Sequence, residues 1–160
     1  MSYIPFFLSH KRILSLGILL TFSSSFGQTF LVSLFVPQFL GEFRLSHGEF
    51  GFLYSGATLL AAASLPYFGS LLDRTHLRIY APAVAAGLAL SALTVGLAGG
   101  VLVLFVGLYG LRLTGQGLMT HTALTSMARD FTAFRGKALA IANTGFPLGE
   151  AVFPIVIASL

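Results

Sequence analysis

The chain has 160 residues, 56% of them hydrophobic and only 9% charged, with a mean hydropathy of +0.89. Soluble domains carry about 25% charged residues, so a water-soluble core of this size cannot hide so much apolar surface, and the lipid bilayer is the solvent that fits. Nine Lys and Arg stand against five Asp and Glu, but they are dispersed among apolar stretches and form no basic stripe, which argues against a nucleic-acid partner.

In chain order, His10-Lys11-Arg12 precedes an apolar run, and Ser23-Ser24-Ser25 has the form of a cleavage region. The apolar character resumes at once through Phe30-Leu31-Val32-Ser33-Leu34-Phe35-Val36. The whole stretch therefore reads as an uncleaved spanning helix over 13–36, in line with the roughly 20 residues a bilayer requires. Pro37 is expected to close it. A second span is predicted over 48–72. Ser46-His47-Gly48-Glu49 has the form of a capping box, with Ser46 as N-cap. The gap Asp73 to Arg78 is very short, so spans two and three (79–99) form a tight hairpin with a charged tip. Gly99-Gly100 turns the chain into span four (101–127). The polar segment from Arg129 to Lys137 leads to span five (138–158).

The apolar stretch continues to Leu160 with no polar tail. It reads as a fragment of a longer all-α, polytopic membrane helix bundle, with an intact five-span protein as the alternative. With the N-terminus inside, the inner segments hold Lys11, Arg12, Arg74, Arg78, Arg129, Arg135 and Lys137, whereas the outer ones hold Arg44 alone. That bias predicts a multi-pass protein of the cell (inner) membrane with a cytoplasmic N-terminus. There is no Trp, so the 16 Phe and five Tyr must supply any interfacial belt. The lack of Cys excludes a disulfide framework and a thiolate metal site. No metal cluster, cofactor motif or nucleophile with an evident base is present, so no catalytic residue is assigned and an enzyme is not expected.

Within the spans, Arg112 is the costliest residue. It lies about 16 Å into the membrane if span four enters at Val101, and a mid-membrane Arg costs about 2.5–3.5 kcal/mol on insertion scales. Glu150 lies at a similar depth on span five, about 18 Å from Ala138. The two are expected to pair, either within a coupling network or as a fixed packing contact. Gln116 follows Arg112 by four residues and shares its face. Asn143, Pro147, Glu150 and Pro154 form one stripe, with Gly145 and Gly149 on a neighbouring face suited to close helix packing. His121 either carries a coupling proton or bonds a backbone carbonyl. In span one, Ser24 and Gln28 share a face, and Gln28 is the better site candidate because its amide is costlier to bury unpaired.

The tip Gly69-Ser70-Leu71-Leu72-Asp73-Arg74-Thr75-His76-Leu77-Arg78 resembles the loop between helices two and three of the major facilitator superfamily. Gly69, Leu71, Asp73, Arg74 and Arg78 match. His76 stands where that family usually has Gly, and Leu77 where it often has a base. Arg112-Leu113-Thr114-Gly115-Gln116-Gly117 is similar to the superfamily's arginine-plus-glycine pattern in helix four. The segment Arg135 to Gly145 resembles the entry of helix five in monocarboxylate-porter-like and oxalate–formate-like members. The resemblance implies the first five helices of a twelve-helix fold, with helix six and the C-terminal half outside this chain as a required partner.

It also implies a gating loop of Gly69, Asp73, Arg74 and Arg78, with Arg74 and Arg78 holding Asp73 and Asp130 at the end of span four. From the residues alone, a solvated connector serves equally well. His76 tolerates a positive φ less readily than Gly, so the loop is expected to turn differently here.

The implied function is secondary transport of a small solute by alternating access. It is proton-coupled, as symport or antiport, with a small organic anion favoured by Arg112. A proton-driven multidrug exporter is the nearest alternative. A non-transporting half-module bound to another membrane protein is a further one, and a membrane enzyme using His121 with Asp130 has no other support. Substrate-site or coupling candidates are Arg112, Glu150, Gln116, Gln28, Asn143 and His121.

Overall fold

The computed structural model describes residues 3–159. Leu160, the last residue of the closing apolar stretch, lies outside them. The described residues are helical throughout, without strands, and supply five stretches long and apolar enough to cross a membrane: Lys11–Leu34, His47–Arg74, Leu77–Gly96, Val101–Asp130 and Arg135–Ala158. Side chains on the outside of this bundle are large and apolar, with Phe52 84%, Leu102 76% and Ile155 71% exposed. Such a surface is soluble only in lipid. The protein is a multi-pass membrane helix bundle, as the hydropathy pattern requires.

A short helix, α1 (Tyr3–Ser9), precedes span one. Span one itself is not one helix. It runs as α2 (Lys11–Ser23), a tight 3₁₀ turn at Ser24–Gly27, and α3 (Thr29–Leu34). Gln28 is extended (φ −81°, ψ 149°), so the helix breaks there, within span one. Pro37 does not end the helical course as expected. It sits in the first turn of α4 (Val36–Phe43), where its missing N–H costs no hydrogen bond. The actual break is at Phe35.

Span two is α5 (His47–Arg74) and opens with the expected capping box. Ser46 Oγ accepts from Glu49 N at 3.2 Å, and Glu49 Oε2 accepts from Ser46 N at 2.8 Å. Span three is α6 (Leu77–Gly96). Span four comprises α7 (Val101–Leu111), a π-helical stretch at Arg112–Met119 and α8 (Thr120–Asp130). Span five divides into α9 (Arg135–Asn143) and α10 (Gly145–Ala158). Pro147 has no N–H for the Asn143 carbonyl, which accounts for the break between them.

Three apolar clusters hold the bundle. Leu72, Tyr80, Val84, Leu88, Leu111 and Leu118 fill the space between spans two, three and four. Phe39, Phe50, Leu104 and Leu108 close the end of the bundle farther from α1. Phe6, Leu14, Met127, Phe131, Ala138 and Ala142 close the end nearer to it.

Spans one and five meet on small residues, as the Gly145–Gly149 spacing suggested. A Cβ on Gly145 would stand 2.4 Å from the Ile18 carbonyl oxygen, and one on Gly149 would stand 3.0 Å from Ser25 Cβ. At this contact Thr21 Oγ1 donates to the Ala142 carbonyl at 2.5 Å, one residue before the end of α9. The break in span five is thus held from span one.

Candidate functional site

The centre of the molecule is a crossing of two irregular segments. The 3₁₀ turn of span one lies directly on the π stretch of span four, glycine against glycine. A Cβ on Gly115 would fall 2.7 Å from Gly27 Cα. Backbones can approach this closely only where both residues lack side chains. In the π stretch the helix takes an additional residue per turn, a feature often found at functional positions.

Arg112 begins that stretch and is 8% exposed. Its Nη1 donates to the Gly27 carbonyl at 3.0 Å and to Thr29 Oγ1 at 3.2 Å. Its Nε donates to Thr58 Oγ1 at 3.1 Å. The guanidinium carbon lies 5.2 Å from the centroid of the Tyr54 ring, and the Tyr54 hydroxyl is 3.0 Å from Thr29 Oγ1. The break at Gln28 is what frees the Gly27 carbonyl to accept from a side chain.

Every one of these partners is neutral. The expected ion pair with Glu150 is not formed. Glu150 is exposed on α10, and among the described residues the only ion pair joins other groups. Matching depth placed the two charges at one level, but α10 turns Gly145 and Gly149 toward span one and leaves Glu150 on a free face. Arg112 therefore has no counter-ion among the described residues and is held by neutral groups alone. Nη2 has no acceptor among the described residues. A cavity of about 190 Å³ adjoins the guanidinium, lined by Thr58, Ala61, Ala62, Leu65, Arg112, Gln116 and Gly117. Gln116, half-buried, is brought to the same cavity as the sequence spacing indicated. A larger cavity of about 380 Å³ lies elsewhere, between Phe26, Val32, Phe39, Val95 and Leu108, with Gln38 and Glu42 as its polar lining. It has no cation, so an anion has no reason to enter it.

A family model described as Major Facilitator Superfamily matches residues 17–160. The chain belongs to the major facilitator superfamily. No curated protein and no solved structure matches it. As a member of this superfamily the protein is a membrane transporter, from a family of transporters and not of enzymes.

The superfamily's loop between helices two and three takes a definite form here. Asp73 is exposed and ion-paired with Arg129 from the end of span four. Arg129 Nη1 also donates to the Leu72 carbonyl at 3.4 Å. The partner expected for Asp73 was Arg74 or Arg78. Both are exposed and make no ion pair among the described residues, because the end of α8 approaches Asp73 directly. Asp130 is exposed and likewise outside any ion pair among them.

The His76 substitution costs nothing in the backbone. Thr75 and His76 are both extended (φ −123° and −66°), and no positive φ is needed. Gly69 is buried, and a Cβ there would meet the His121 ring at 3.4 Å, an ordinary contact. His121, half-buried, thus packs on Gly69 near the end of α5 and does not line the Arg112 cavity. Asn143 is exposed, and Gln28 sits half-buried at the helix break; neither side chain makes a hydrogen bond among the described residues.

Both members of the Asp73–Arg129 pair are about half exposed, and such pairs contribute about 0–1 kcal/mol. Asp73→Asn is therefore expected to leave the melting temperature of the purified protein nearly unchanged while altering transport. A large loss of stability would show the pair to be structural.

Sequence reading missed Tyr54, Thr58 and Thr29, and put Arg129 on the same side as the tip without pairing it with Asp73. Thr58 carried a signal, a lone hydroxyl within the apolar run Gly56 to Ala63. The pairing of Arg129 carried one too, as the base nearest the C-terminal end of span four.

Proposed function

We propose that the protein is a proton-coupled secondary transporter of a small organic anion, working by alternating access around Arg112. The observation that carries the reading is the guanidinium itself: buried mid-span, ringed by neutral oxygens, with one nitrogen that has no acceptor among the described residues and a cavity beside it. An unneutralised charge at that depth is costly, and a bound carboxylate would offset the cost through a charge-assisted hydrogen bond. Thr58, Thr29, the Gly27 carbonyl and Tyr54 hold the guanidinium plane, and Gln116 supplies a second polar contact for the anion. Glu150, exposed and without an ion pair, is the group best placed on span five to carry a coupling proton. The N-terminus is cytoplasmic in this reading, with Asp73 and Arg129 forming one side of the inner gate. The other side is contributed by a second half of the transporter.

The test is uptake of a panel of short carboxylates by the full-length transporter in proteoliposomes, with and without an inward proton gradient. Gradient-stimulated uptake of at least one carboxylate is expected. Transport of cationic drugs with none of the carboxylates would favour the exporter reading instead.

A further inference from the structure

The segment before span one is apolar on more than one side. Helix α1, Tyr-Ile-Pro-Phe-Phe-Leu-Ser, has no charged residue. Phe6 is fully buried against Phe131 and Phe134, with ring centroids 5.3 and 5.6 Å away. His10 Nδ1 lies 3.1 Å from the Phe6 carbonyl, and its ring stands edge-on to Phe131. That face is covered by protein. Ile4 and Leu8, four residues apart and so on a common face, are 72% and 64% exposed.

A helix apolar on several sides needs apolar cover on each. The position of α1 says what that cover is. Residue 11 begins span one, so α1 lies at the bilayer surface. The charge there is also one-signed. Lys11 and Arg12 are exposed immediately after α1. With Leu8, Ser9, His10 and Ile13 they line a notch of about 260 Å³. An apolar face beside a basic notch complements an anionic phospholipid, acyl chain on one and phosphate on the other.

We infer that α1 is an in-plane membrane anchor and that the Lys11–Arg12 notch selects anionic phospholipid in the leaflet where the chain begins. The site is separate from the Arg112 cavity and does not depend on which face of the membrane is cytoplasmic. Because Phe6 packs on Phe131, two residues from Arg129, lipid held here bears on the segment that pairs with Asp73.

These 160 residues hold no Cys, so Leu8→Cys, with any cysteine beyond them replaced by Ser, accepts a single spin label. The experiment uses the full chain in nanodiscs of phosphatidylcholine with increasing phosphatidylglycerol. The label is expected to be accessible to oxygen and shielded from an aqueous nickel complex. Phosphatidylglycerol is expected to be enriched in the lipid retained on purification. That enrichment should fall about fivefold for each of Lys11→Gln and Arg12→Gln, and it should also fall for the unmodified chain at high salt. A label open to nickel at every composition would overturn the anchor, as would a label shielded from both reagents, which means protein cover. Enrichment indifferent to both the substitutions and salt would overturn the lipid selectivity.

Discussion

Gly27→Ala is expected to cost more stability than any ordinary core substitution in this protein. The added methyl would stand 2.2 Å from the Leu111 carbonyl oxygen and 2.5 Å from the Gln116 amide nitrogen. Both are backbone atoms and cannot rotate aside. Overpacking against movable side chains costs about 1–3 kcal/mol, and here the two helices themselves must part. Separation also withdraws the Gly27 carbonyl from Arg112 and leaves a charge less well solvated. The expected result is a protein that fails to accumulate in the membrane, or melts far below the unsubstituted one in detergent. Gly41→Ala is the matched control, because its methyl would meet nothing within 4 Å; it should be neutral or slightly stabilising. A normal melting temperature for Gly27→Ala would mean that the two spans do not cross at these glycines.

Arg112→Gln is expected to remove transport while sparing the fold. The substitution deletes the charge but keeps a polar group that can reach Thr58 or Thr29. Removing one member of a buried, hydrogen-bonded charge pair costs about 2–5 kcal/mol. Anion uptake should therefore fall by at least about thirtyfold at sub-saturating substrate. Arg112→Lys should recover only part of it. An ammonium is a point charge on a flexible stem and cannot keep the planar fork that bonds Thr58 and the Gly27 carbonyl together. Arg112→Gln should melt close to the unsubstituted protein, since removing a mid-membrane charge relieves a desolvation cost. Equal activity of Arg112→Gln and the parent would remove Arg112 from the site.

Much of the architecture was legible in the chain itself. Apolar run lengths, the Ser46 capping box and the Gly99-Gly100 turn define the spans, because each is a local signal with one structural solution. The irregular backbone at the centre was not. Gly27 beside Gln28 and Gly115 beside Thr114 weaken a helix by only about 1 kcal/mol each; the distortions arise where these two let two backbones meet, which is a long-range event. For the same reason Arg112 was visible but its company was not. Depth follows from counting residues at 1.5 Å each. The direction in which a side chain points around its helix depends on neighbouring spans, and this sent Glu150 to an open face. Asp73 shows the same limit. Sequence proximity favoured Arg74 and Arg78, yet the arrival of α8 made Arg129 its partner.

The central claim is that the Arg112 cavity receives an anion. It is tested most directly by a single cysteine at Ala62, which lines that cavity and is exposed, introduced into the full-length transporter with any cysteine outside these 160 residues, which hold none themselves, replaced by Ser. The rate of its modification by a water-soluble maleimide is measured with and without each carboxylate. A transported carboxylate should slow the reaction in the Arg112 background and have no effect when Arg112→Gln is added. Protection that persists without Arg112, or a rate that no carboxylate changes, would contradict the assignment.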